Sequence, residues 1–144
     1  MKIAVVVGVA VAICAVLFLL RTRVAEHGTY SEVPRHLSAL KQSTDPTAFF
    51  GFHTRSTDAL YFVYEGGSFN LDYELLGVDK EQYAEPFRKV AAQLGYKVLS
   101  TTYGQYPVLR VKLSAAESQA AEQGFQFAHR IFGIQRNTEL EFLP

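Results

Sequence analysis

LYFVYEGGSFNLDYE, residues 60–74, holds two strand-like runs on either side of a Gly-Gly break. The first run, LYFVYE, is aromatic and β-branched, which suits a pleated surface. The second alternates strictly: Phe69, Leu71, Tyr73 and Leu75 fall on one face, Asn70, Asp72 and Glu74 on the other. Successive side chains of a strand point to opposite faces, so this pattern predicts a hairpin with one buried and one polar face. Gly66 and Gly67 supply the turn, because glycine accepts the positive φ angles that a tight hairpin needs.

Downstream, DKEQYAEPFRKVAAQLG (79–95) carries Tyr83, Phe87, Val90, Ala91 and Leu94 at helical spacing. Asp79 with Gln82 has the spacing of a capping box, and Gly95 ends the helix. Pro86 requires the regular helix either to begin near Glu85 or to bend there. YKVLSTTYGQYPVLRVKL (96–113) predicts a second hairpin turning near Gly104–Gln105, with Leu109, Val111 and Leu113 on one face and Arg110 and Lys112 on the other. SAAESQAAEQGFQFAHRIFG (114–133) predicts a second long helix with a Ser114–Glu117 capping box. Gly124 in its middle costs about 1 kcal/mol of helix propensity, which a close approach of helix to sheet would explain. TELEFLP, at the end, predicts a short strand with Leu140 and Phe142 inward and Glu139 and Glu141 outward.

Hairpin, helix, hairpin, helix, strand is the order of an α+β sandwich, an antiparallel sheet of about five strands with two helices on one face. It follows the ferredoxin-like order with one extra strand. The expected organisation is a transmembrane anchor over residues 1–23, a linker with a short helix over 24–58, and the α+β domain over 59–144. The other sheet face would display Asn70, Asp72, Glu74, Arg110, Lys112, Glu139 and Glu141.

The anchor rests on Ile3–Leu20, 18 consecutive residues without a charge. As a helix they would span about 27 Å, close to the thickness of a bilayer's hydrocarbon core. Arg21 and Arg23 follow, where a cleaved signal peptide would need small residues. Weighing Lys2 and the α-amine against Arg21, Arg23, Arg35 and Lys41 leans the domain towards the cytoplasmic side, as expected of a single-pass protein of the bacterial inner membrane. In the linker, Ser31 would cap a short helix whose Val33, Leu37 and Leu40 share a face. Phe49, Phe50 and Phe52 either pack under the domain edge or contact a membrane surface or partner.

Charge and motif exclude several functions. Lys2, Arg21 and Arg23 precede residue 24, so residues 24–144 hold 11 basic against 14 acidic residues, a formal charge of −3. A nucleic-acid backbone rewards clusters of Lys and Arg, and no basic stripe exists here, so no nucleic-acid partner is expected. Cys14, the single cysteine, lies in the apolar run, which leaves the domain without a disulfide or thiol nucleophile. His27, His36, His53 and His129 form no metal-binding pattern, and neither a phosphate-binding loop nor a nucleophile elbow is present. No cofactor, metal or catalytic residue is expected. Asp72 and Glu74 lie side by side on one strand, a pairing that serves acid–base chemistry when desolvated. Facing Arg110 and Lys112, their simpler use is cross-strand ion pairing.

The leading expectation is a membrane-tethered, non-enzymatic module that binds a protein partner, as a scaffold or envelope-complex subunit. Its contact residues would be Asp72, Glu74, Arg110 and Lys112 on the sheet, or Phe49, Phe50 and Phe52. An immunity-type inhibitor docking on a toxin is the alternative; a small enzyme or a ligand sensor is the third.

Overall fold

A computed structural model describes residues 26–55, 58–75 and 81–143. The apolar run at residues 3–20 lies outside them, as does Asp79 of the expected capping box. Among the described residues no helix is long and apolar enough to cross a membrane.

The described residues form one antiparallel sheet of seven strands: β1 (Glu26–Gly28), β2 (Phe50–His53), β3 (Leu60–Glu65), β4 (Ser68–Glu74), β5 (Val98–Tyr103), β6 (Tyr106–Lys112) and β7 (Leu140–Leu143). Among the described residues three α-helices accompany them: α1 (Val33–Gln42), α2 (Ala84–Leu94) and α3 (Glu117–Phe132). The α+β class agrees with the sequence reading. Among the described residues the expected five strands are corrected to seven, and the short helix expected in the linker is present as α1 but packs on the core as a third helix, because the stretch read as a linker builds part of the domain. It supplies β1, β2 and α1, and Val33, Leu37, Phe50 and Phe52 join the core.

Strand order is β1-β7-β2-β3-β4-β6-β5. The run β4-β6-β5 keeps the ferredoxin-like order, which would then place β7 beside β4. Instead β3 occupies that side of β4, and β7 pairs with β2. The departure follows from β2: Phe50 and Phe52 pair with Phe62 and Leu60 of β3 and bury fully only inside the sheet. Phe50 and Phe52 are therefore core residues of an interior strand, not an edge cluster.

Both hairpins turn where expected, with positive φ at Gly66, Gly67 and Gly104. Gly95 ends α2 in the left-handed conformation, and Pro86 sits harmlessly in that helix's first turn. Two caps differ from expectation. Ahead of α1, a 3-10 turn (Tyr30–Glu32) intervenes, and the Thr29 N–H donates to Glu32 Oε2 at 3.0 Å, so Ser31 is not the cap. Helix α3 begins at Glu117, and the Ser114 hydroxyl accepts the Ala116 N–H at 3.1 Å instead of forming a capping box with Glu117.

The helices cover one face, here the inner face, over Phe62, Phe69, Leu71, Tyr73, Leu109 and Val111. Phe87 of α2 stacks on Tyr73, with ring centroids 6.0 Å apart. Gly124 marks the closest approach of α3: a Cβ there would lie 2.4 Å from Phe62 Cζ and 2.9 Å from the Tyr30 hydroxyl. That hydroxyl donates to the Ala121 carbonyl of the same helix at 2.7 Å. Gly124 is therefore retained for contact, as its cost in propensity suggested.

Helix α1 is fastened to the sheet by His36, whose ring stacks on Phe50 at 4.4 Å and meets Phe142 edge-on at 4.8 Å. Burial lowers the His36 pKa from its ordinary 6.5, against the opposing pull of Glu26. A lowered pKa means the unfolded chain takes up the proton first. His36 thus contributes stability that is fully present above pH 6.5 and is lost as pH falls from 6.5 towards the lower folded value. Urea midpoints measured from about pH 8 down to about pH 5 should fall on the acid side. His36→Gln should flatten that fall; an unchanged slope would show that His36 is not its source.

Candidate site on the outer sheet face

Strand parity places Tyr61, Val63 and Glu65 of β3, Asn70, Asp72 and Glu74 of β4, and Val108 and Arg110 of β6 on the outer face. The face is not open throughout: Asn70 and Asp72 are 8% and 2% exposed. Arg110 lies over Asp72 and closes a two-pronged ion pair. Its Nε and Nη2 donate to the two carboxylate oxygens, each at 2.7 Å, and Nη1 donates to Glu65 at 3.0 Å. Direct cross-strand register of Asp72 with Arg110 makes this geometry possible. Burial pushes the Asp72 carboxyl up from its ordinary range while the guanidinium pulls against it, and Arg110 is held higher by the same bonds. With both oxygens engaged, Asp72 is positioned as a structural anion rather than a proton-transfer group.

Lys112, expected beside these residues, is exposed and sits opposite Asn70, two register positions further along the strands. Glu74 sits opposite Val108 and faces a cleft. The cleft has a volume of about 160 Å³ and is lined by Phe49, Tyr61, Val63, Asp72, Glu74, Tyr103, Tyr106 and Val108. Of the expected contact residues it unites Phe49, Asp72 and Glu74. Arg110 stands behind Asp72, whereas Phe50 and Phe52 point into the core on the opposite face.

The walls come from three places in the chain. Tyr61 lies across Gly51, where an added Cβ would approach within 2.6 Å of its ring. Phe49 meets Tyr61 at 5.6 Å and Tyr103 at 6.3 Å, with ring planes at 74° and 80°. The turn at Asp45–Thr47, held by the Thr47 N–H to Asp45 Oδ1 at 2.9 Å, presents a carbonyl that accepts the Tyr103 hydroxyl. That contact ties the tip of the β5–β6 hairpin to the segment before β2. Two large apolar residues on this same hairpin are exposed, Leu99 at 50% and Tyr106 at 44%.

Tyr61, Val63, Tyr103, Tyr106 and Val108 were not singled out from the sequence. One signal was there to read: LYFVYE is apolar on both faces, which implies cover on both sides of its strand.

At the other end of the face, His27 of β1 and His53 of β2 are both in register with Glu141 of β7. Their rings lie 3.5 Å from Glu139 and 3.4 Å from Glu141, respectively. Among the described residues no group of three or more His, Cys, Asp or Glu is placed to hold a metal ion. His129 Nδ1 lies 3.0 Å from the Ile134 carbonyl, at the end of α3. No protein-family model, curated protein or solved structure matches this chain.

Proposed function

We propose that this chain is a membrane-tethered module that binds a protein partner through the outer sheet face around the cleft. The observation that carries the reading is the coincidence of three features on one hairpin. Tyr106 lines the cleft and is 44% exposed, Leu99 further along the same hairpin, opposite Arg110, is 50% exposed, and β5 is the sheet's terminal strand. Exposed apolar side chains on the hairpin that walls a concave aromatic site, rimmed by charge, match the composition of an interface. Such a terminal strand also presents backbone N–H and C=O groups that an incoming chain can pair with. Ile3–Leu20 is the proposed anchor, in a bacterial inner membrane with the domain on the cytoplasmic side; tethering would raise the module's effective concentration there.

A photo-reactive residue placed at Tyr106 of the full chain in its native membrane tests this. Discrete protein adducts are expected at position 106, and none from the same group at Lys89, exposed on α2 on the other side of the molecule. Equal labelling at the two positions, or none at 106, would sink the reading.

A further inference from the structure

We propose that β5 pairs antiparallel with β5 of a second copy of this chain, so that one sheet runs through both. The inference goes beyond the binding reading above and rests on the sheet edge, not on the cleft. The two edges of the sheet differ in kind. β1 is three residues long and carries Glu26 and His27, with Glu26 engaged by Arg35 at 3.1 Å. A short, charged edge resists further pairing. β5 is six residues long, VLSTTY, without charge or proline. Its register with β6 is unbroken, and residues 99–102 are exposed. Among the described residues it pairs only with β6. An edge of this kind is a template for another strand.

The free backbone groups of that edge can be located. The Pro107 carbonyl accepts the Leu75 N–H at 2.9 Å, on the side of β6 away from β5. Thr102 is the register partner of Pro107, so its own N–H and C=O face the open edge, and alternation turns those of Ser100 and Val98 the same way. Leu99, Thr101 and Tyr103 project from the outer face, opposite Arg110, Val108 and Tyr106. A two-fold axis normal to the sheet keeps the outer faces of two copies together. With Thr101 on that axis, Ser100 of each copy exchanges backbone bonds with Thr102 of the other. This self-complementarity selects a second copy as the occupant. Leu99, 50% exposed in the single chain, packs on the second copy's Tyr103, which removes apolar area from water. Thr101 meets Thr101, a favourable cross-strand pair. No like charges oppose each other, since β5 has none and Lys97 before it faces Gln105. Both clefts then lie on one side of the joined sheet, so a partner meets two at once.

The test uses the full chain in neutral detergent. Thr101→Cys, combined with Cys14→Ser so that no other thiol is present, should form a disulfide-linked dimer on mild oxidation. At a non-hydrogen-bonded antiparallel pair the two Cα atoms lie about 4.5 Å apart, within disulfide range. His27→Cys in the same background, at the guarded edge, should cross-link far more slowly. By sedimentation the parent chain should show a monomer–dimer equilibrium. Thr101→Lys sets two ammonium groups against each other on the axis and should weaken it at least about tenfold. Mixing that variant with Thr101→Glu should restore the dimer. Ser100→Pro removes an outward N–H but no bond to β6, and should weaken the dimer as well. A chain that stays monomeric up to about 100 µM, a dimer indifferent to Thr101→Lys, or equal cross-linking at positions 27 and 101 would overturn the inference. Adducts of another protein at position 106, from a chain that stays monomeric, would end it and leave the binding reading standing. Cross-linking through position 101 without such adducts would support it while removing that reading.

Discussion

Asp72→Ala is expected to lower folding stability by about 3–5 kcal/mol, the usual loss when one partner of a buried ion pair is removed. Asp72 is 2% exposed, and its two oxygens take the two strongest donors of Arg110. Without it, a guanidinium whose side chain is only 11% exposed keeps a single carboxylate partner, Glu65, itself 66% exposed. The remaining contact with Glu65 argues for the lower half of the range. The sharper expectation concerns the pair. Desolvating two charges costs about as much as their attraction returns, so Asp72→Leu combined with Arg110→Met should recover most of the loss. Urea denaturation of both variants checks this. A single variant within about 1 kcal/mol of the parent would mean the pair is no more than a surface salt bridge.

The second large effect is a reversal of sign. Phe62→Ala should cost about 3–5 kcal/mol, since the ring is fully buried and its removal leaves a cavity under α3. Gly124→Ala alone should destabilise by about 1–3 kcal/mol, because its new methyl group meets the Phe62 ring and the Tyr30 hydroxyl, neither free to move in a packed core. In the Phe62→Ala background the closest clash is gone, and the vacated space lets the Tyr30 hydroxyl give by the small amount its contact still requires. The alanine then adds helix propensity of about 1 kcal/mol and fills part of the void, so the same substitution should stabilise. A double-mutant cycle isolates the coupling. If Gly124→Ala has the same sign in both backgrounds, the helix–sheet contact is not what retains the glycine.

Much of this architecture was legible because its causes are local. Alternation of side chains along β4 and β6 separates Phe69, Leu71 and Tyr73 from Asn70 and Asp72 with no knowledge of neighbours. Turns at Gly66–Gly67 and Gly104, the stop at Gly95 and the anomaly of Gly124 each follow from what a single residue type permits. The pairing of Asp72 with Arg110 was within reach because both belong to alternating strands. Its burial was not, because burial depends on what lies above the sheet.

What only the tertiary structure decided shares one physical reason: a short segment's fate depends on partners distant in sequence. Glu26–Gly28 and Phe50–His53 are too short for periodicity to separate strand from linker. They become strands because β7 and β3 offer edges to pair with. The cleft has the same origin, since Phe49, Tyr61 and Tyr103 converge from segments joined by the bond between Tyr103 and Thr47, 56 residues apart. The sequence by itself determined the α+β class, the faces of β4 and β6, the two hairpin turns and the reason for Gly124. Tertiary structure alone decided the count and order of the strands, the burial of Asp72 and the assembly of the aromatic cleft, because each requires contacts that no local pattern encodes.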